Sequence, residues 1–147
     1  MIQNRNPKKR KKNKLVSTQS QQLNDLLAAQ WYARALSERD AHHRFLHLAD
    51  RIDGTESFSA LSERIREAAN DELRHIDICM IQARRFGSEE LLPYKGFQPF
   101  FAEEVCELVT LFCVMETINA ALLVSLRDAL QDQDLRNSCQ SILIDEV

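Results

Sequence analysis

Asp71-Glu72-Leu73-Arg74-His75 places a carboxylate and an imidazole three residues apart. On a helix such residues share a face, with about 5–6 Å between β-carbons, so one metal ion can be held by both. Asp145-Glu146-Val147 opens the same phrase at the end of the sequence. A dimetal site in a helix bundle takes a Glu-x-x-His from each of two helices and a single Glu from each of two others. Glu72 and His75 supply one complete copy, Glu146 begins the second, and Glu38 and Glu116 stand as the single carboxylates.

The surroundings of these residues sharpen the reading. Glu116 has Phe112 and Ala120 four residues away on either side, and Val109 and Leu123 seven away, so it points into an apolar stripe. An ionised carboxylate buried there must be protonated, ion-paired or metal-bound. Glu107 faces the opposite side and needs only solvent. Glu38 lies between Trp31 and Phe45, and taken alone an ion pair with Arg34 would account for it. A lone inward His75 would be an ordinary hydrogen-bonded core residue. Beyond the ligands, a metal-bound histidine usually gives its other ring N–H to a carboxylate. Asp145 is placed to reach across to His75, and Arg74 to neutralise Asp71 and Asp145 together; the alternative is a solvent-exposed Asp–Arg pair.

Positioning these groups calls for four helices. Leu27, Trp31, Arg34, Glu38, Ala41, Phe45, Leu48 and Ile52 recur at steps of three and four, one face of a helix of about nine turns beginning near Thr18. Asp53-Gly54-Thr55 ends it, and Ser57 or Ser59 can cap the next helix. Leu61, Ile65, Ala68, Glu72, His75, Cys79, Ala83 and Phe86 form the second face, stopped by Gly87. Ser88 to Gln98 reads as a connection. Val105, Val109, Phe112, Glu116, Asn119, Leu123, Leu126 and Leu130 form the third face. Gln131-Asp132-Gln133 is a polar turn, with a fourth helix from about Asp134.

Antiparallel helices bring residues to one height when those residues are equidistant from the turn. Glu38 and Glu72 are centred on Thr55, and Glu116 and Glu146 on Gln131. The chain thus reads as two copies of one hairpin, an all-α four-helix bundle. The connection between helices two and three exceeds the roughly 2–8 residues usual for antiparallel neighbours. It predicts a crossover that leaves helices two and three parallel.

Composition sets the outer bounds. The chain has 147 residues, 44% of them hydrophobic, with only three Gly and three Pro, which fits one domain of long helices. Seven basic residues and no acids occupy the first fourteen positions. Removing those seven leaves twelve basic against 22 acidic residues, a net charge of −10 that argues against nucleic-acid binding by the body. Residues 1–17 read as a solvated, disordered basic tail, with a polyanion-binding arm or a nuclear address as the functional alternatives. Residues 18–147 read as the helical domain. Neither a secretory signal nor a membrane span is expected. Cys79, Cys106, Cys113 and Cys139 form no Cys-x-x-Cys pair and read as reduced core cysteines of a cytoplasmic protein. His43 and His47 could hold a surface zinc, although a solvated helix face explains them as well. His42, four residues from Glu38, could edge toward the site, and Asn119, one turn from Glu116, could be a polar cavity residue or an inter-helix hydrogen bonder.

Across about residues 18–147 these features resemble the ferritin-like dimetal-carboxylate superfamily. The Asp-Glu-x-Arg-His phrase is similar to that of hydroxylase subunits of bacterial multicomponent monooxygenases, and the layout to small bacterial ferritin-like proteins. The resemblance implies two iron ions, with manganese the alternative, bridged by carboxylates. Glu38 and His75 would then serve the first iron, Glu72 and Glu146 would bridge, and Glu116 would be terminal on the second. The second histidine of the pattern would fall two residues past Val147, so the fourth helix is expected to be truncated. The implied activity is an oxidoreductase that reduces O2 or a peroxide and oxidises a small substrate. An electron donor and a second copy of the chain would be its partners. A ferroxidase or storage protein and a non-catalytic helical module are the rival readings.

Overall fold

The computed structural model describes residues 7–53, 58–88 and 105–146, with the side chains of 7–19, 105–108 and 111 outside that description. It contains four helices, α1 (Pro7–Ile52), α2 (Ser59–Arg85), α3 (Val105–Ala129) and α4 (Gln133–Asp145), and no strand among the described residues. No helix is long and apolar enough to cross a membrane among those residues. α1 starts at Pro7, well before the expected start near Thr18, so helix runs through most of the segment read as a disordered tail. Proline is pre-set for the first helical position, and Lys and Arg are good helix formers.

Side-chain bridges fix the directions of the helices. Ser62 Oγ donates to the Ala49 carbonyl at 3.2 Å, and His42 Nδ1 lies 2.7 Å from the Ala69 carbonyl, so α1 and α2 run antiparallel. Gln82 Nε2 donates to Ser138 Oγ at 2.9 Å, and Arg85 grips Asp132 through two N–H groups, at 3.1 and 2.6 Å. With His75 beside Asp145 further down, α2 and α4 are antiparallel as well. α3 returns as α4 through residues 130–132, where the Asp132 carboxylate caps α4 by accepting from the amides of Asp134 and Leu135. Helices α2 and α3 therefore run parallel. The connection expected between them lies largely outside the described residues.

Other local expectations shift by a residue or two. Gln133 is the first residue of α4 rather than part of the turn. Ser59 is the first helical residue of α2, after Phe58 at the cap position, and Ser57, Gly54 and Thr55 lie outside the described residues. Gly87 ends α2 with φ of 103°, in the region that favours glycine, and Ser88 N–H closes back on the Ala83 carbonyl.

Two apolar clusters bracket the middle of the bundle. The larger joins Trp31, Ala35, Cys79, Ala83, Leu123, Leu135, Cys139 and Ile142 from all four helices. The smaller joins Leu48, Ile52 and Phe112, with the Phe45 and Phe112 rings stacked at 5.0 Å. α4 reaches only to the level of His75. Beyond that level Leu61 and Val109 are exposed, so these two leave the core faces assigned to them, as does Leu126 on α3. Cys79 and Cys139 are core residues, but Cys113 is exposed, because it lies off the face of α3 that carries Phe112 and Leu123. The side chain of Cys106 is outside the described residues.

Candidate metal centre

Between the two clusters, α1, α2 and α4 bring Glu38, Glu72, His75 and Glu146 together, each offering a donor atom within 4.8 Å of the others. It is the one such group of His, Cys, Asp or Glu side chains among the described residues. Glu38, Glu72 and His75 are buried. Their convergence follows from the hairpin register, which sets Glu38 and Glu72 level across the α1–α2 pair. Glu116 lies outside the tight foursome, yet it lines the same cavity of about 180 Å³ with Phe45, Ala68, Asp71, Glu72, His75, Asp145 and Glu146.

His75 is held from both sides. Nδ1 is 3.1 Å from Glu72 Oε2 and 3.9 Å from Glu146 Oε1, while Nε2 is 3.1 Å from Asp145 Oδ2. Arg74 bridges outward, pairing with Asp71 through Nη1 and with Asp145 Oδ2 through Nη2 at 2.9 Å. The ring therefore presents Nδ1 to the carboxylates, and a carboxylate fixed by a guanidinium holds its other nitrogen. That is how protein side chains orient histidine toward a cation.

The carboxyls strain against one another. Burial pushes Glu38 up to about 7, with the Glu72 charge adding to the rise and Arg34 opposing it. Burial lifts Glu146 to about 8, reinforced by the charges of Glu116 and Glu72. Glu116 is also raised by burial and by Glu72, against hydrogen bonds from Glu146 and Asn119. For His75 burial favours the neutral ring, but hydrogen bonds to Glu72 and Asp145 outweigh it and lift the imidazole to about 9. The metal-free cluster thus holds on to protons that a cation would displace.

Two buried oxygens test whether a cation fits. Glu38 Oε1 and Glu146 Oε1 have no hydrogen-bond partner among the described residues. Arg34 Nε comes within 2.7 Å of Glu38 Oε1, but the two are not aligned as a hydrogen bond. Buried carboxylate oxygens left in this state cost free energy. Close to an imidazole nitrogen, they offer oxygen donors to a cation.

The remaining polar candidates divide. Asn119 hydrogen-bonds to Glu116, one turn away. His42 is tied to the Ala69 carbonyl, and among the described residues neither His43 nor His47 joins a group of three or more candidate metal donors. Phe45 and Ala68 as cavity walls escaped the sequence reading, although both lie on the stripes that carry Glu38 and Glu72. Comparison with known proteins gives no matching family model, no matching curated protein and no matching solved structure.

Proposed function

We propose that this chain is a metal-dependent oxidoreductase built on a ferritin-like four-helix bundle. Glu38, Glu72, His75 and Glu146 would hold the first iron, and Glu116 with the shared carboxylates a second; manganese is the alternative ion. The observation that carries this reading is the convergence of four donors within 4.8 Å, two of them glutamates with a buried oxygen that makes no hydrogen bond among the described residues. Iron, when bound, would relay electrons from a small substrate and an electron donor to O2 or a peroxide. The chain's own residues set the terms: Phe45 and Ala68 wall the cavity, Asp145 holds His75 Nε2, and Arg74 holds Asp145. An electron donor and a second copy of the chain would be its partners.

The non-catalytic reading has one specific point in its favour, the 2.7 Å approach of Arg34 to Glu38. In that reading the carboxylates are a protonated, ion-paired polar core. Oxygen uptake separates the two. Protein loaded anaerobically with ferrous iron and then mixed with O2 should consume O2 faster than the same iron alone, and Glu72→Ala should remove the excess. Uptake no faster than that of free iron, from protein that has retained its metal, would refute the redox reading.

A further inference from the structure

α3 differs from its neighbours on the side turned away from the bundle. The exposed positions of α2 include Glu63, Arg64, Glu67 and Arg74, and those of α4 Asp134 and Arg136, as expected of faces that meet water. On α3 the described exposed positions from Val109 to Leu126 carry no charge. Val114, Met115, Ile118, Leu122, Val124 and Leu126 are each 38–60% exposed. Together they leave on the order of 500 Å² of apolar surface in water, toward the upper end of what one patch of a monomer shows.

This face has a relief of its own. Val114, Ile118, Leu122 and Leu126 follow at steps of four, and such a row forms a ridge slanting across the helix. Beside it runs a second row of the same step, Cys113, Thr117, Ala121 and Ser125, whose small side chains make a groove. Both hydroxyls in the groove are already satisfied: Thr117 Oγ donates to the Cys113 carbonyl at 2.7 Å, and Ser125 Oγ to the Ala121 carbonyl at 3.0 Å. Covering them leaves neither hydroxyl proton without an acceptor, so the usual penalty for burying a hydroxyl does not arise.

We propose that this face of α3 docks on the same face of a second copy of the chain about a two-fold axis, the ridge of each copy seated in the groove of the other. A surface that carries both ridge and groove is complementary to itself, which is what a two-fold interface requires. The four small side chains extend the apolar face toward the roughly 800 Å² per partner of a standard interface. No charge is buried and no like charges are brought together, although the bodies of the two copies are acidic. Without a basic residue the face is not built for an anionic lipid surface. The inference gives a surface to the second copy named above and does not rest on the metal reading, since no residue of the face belongs to the metal cluster.

Sedimentation velocity of the metal-free full chain should show a monomer–dimer equilibrium, with the dimer predominant at about 50 μM. Ile118→Lys sets two ammonium groups into the interface, one from each copy, and should raise the dissociation constant about 100-fold or more. Should Ile118→Lys lose its helical circular dichroism, Leu122→Lys serves instead. Ala121→Leu fills the groove: it should weaken the dimer about tenfold if the ridge seats there, whereas an unspecific apolar contact would be strengthened. Three results would overturn the proposal: an unaltered chain that is monomeric at that concentration, a dimer unaffected by the folded lysine variant, or an Ala121→Leu dimer as tight as the parent. A monomer whose melting temperature falls in Ile118→Lys would assign the face to the chain's own residues instead.

Discussion

His75 Nε2 lies 3.1 Å from Asp145 Oδ2, which ties the middle of α2 to the last helical residue of α4 and turns Nδ1 toward Glu72 and Glu146. The orientation of the donor nitrogen thus depends on a carboxylate from another helix. Asp145→Asn keeps the size of that side chain but removes its charge. It should lower metal affinity about 10- to 100-fold, the usual cost of losing such a partner, with helix content unchanged. Affinity by competition with a chelator is the measurement; equal affinity in the variant would mean that Asp145 does not orient the ring.

Glu146 offers a test of charge crowding. Burial and two neighbouring carboxylates lift it to about 8. Glu146→Gln should therefore melt higher than the parent at pH 9 in the absence of metal, and at the same temperature at pH 6, where the parent is already protonated. With ferrous iron present the order should invert, since the variant has lost a ligand. A variant less stable than the parent at pH 9 without metal would argue that the carboxylate is satisfied as it stands.

The pH dependence of the metal-free chain follows from the same shifts. Glu38 rises from 4.5 to about 7, Glu146 from 4.5 to about 8, and His75 from 6.5 to about 9. Each folded-state value lies above its unfolded one, so the folded chain binds more protons. The stability these groups contribute is complete below their unfolded values and is lost as pH rises through the folded ones. Melting temperature without metal should fall between about pH 5 and 9. Metal binding requires the deprotonated ligands, so its stabilising effect should grow across that window. Thermal melts at four pH values, with and without ferrous iron, check both slopes.

Packing predictions separate the core from the surface of α4. Ile142 is fully buried in the four-helix cluster, and Ile142→Ala should cost about 2–5 kcal/mol. Ile144, two residues on, is 67% exposed, and Ile144→Ala should stay within about 0.5 kcal/mol. Urea unfolding of the two variants measures the contrast.

The clustering of Glu38, Glu72, His75 and Glu146 was legible in the sequence because their positions follow from local rules. Equal distance from a turn set Glu38 opposite Glu72, and one helical turn set His75 beside Glu72. Asp145 beside His75 followed from placing the fourth helix next to the second. Less legible was what depends on packing between helices. The exposure of Leu126 reflects which neighbour covers its face, and periodicity carries no such information. The apolar outer face of α3 was missed for the same reason: Val114, Ile118 and Leu122 lie off the stripe that carries Glu116, and a helix taken alone does not show what covers them. The start of α1 at Pro7 was obscured by a run of like charges, which reads as solvated chain although its residues favour helix.

The central claim is that Glu38, Glu72, His75 and Glu146 hold a metal ion, and metal analysis tests it most directly. Protein reconstituted anaerobically with ferrous iron and then desalted should retain at least one iron per chain. Glu72→Ala together with His75→Ala should retain none while remaining helical. An unaltered chain that emerges without iron, and with its melting temperature unchanged by iron, would contradict the account.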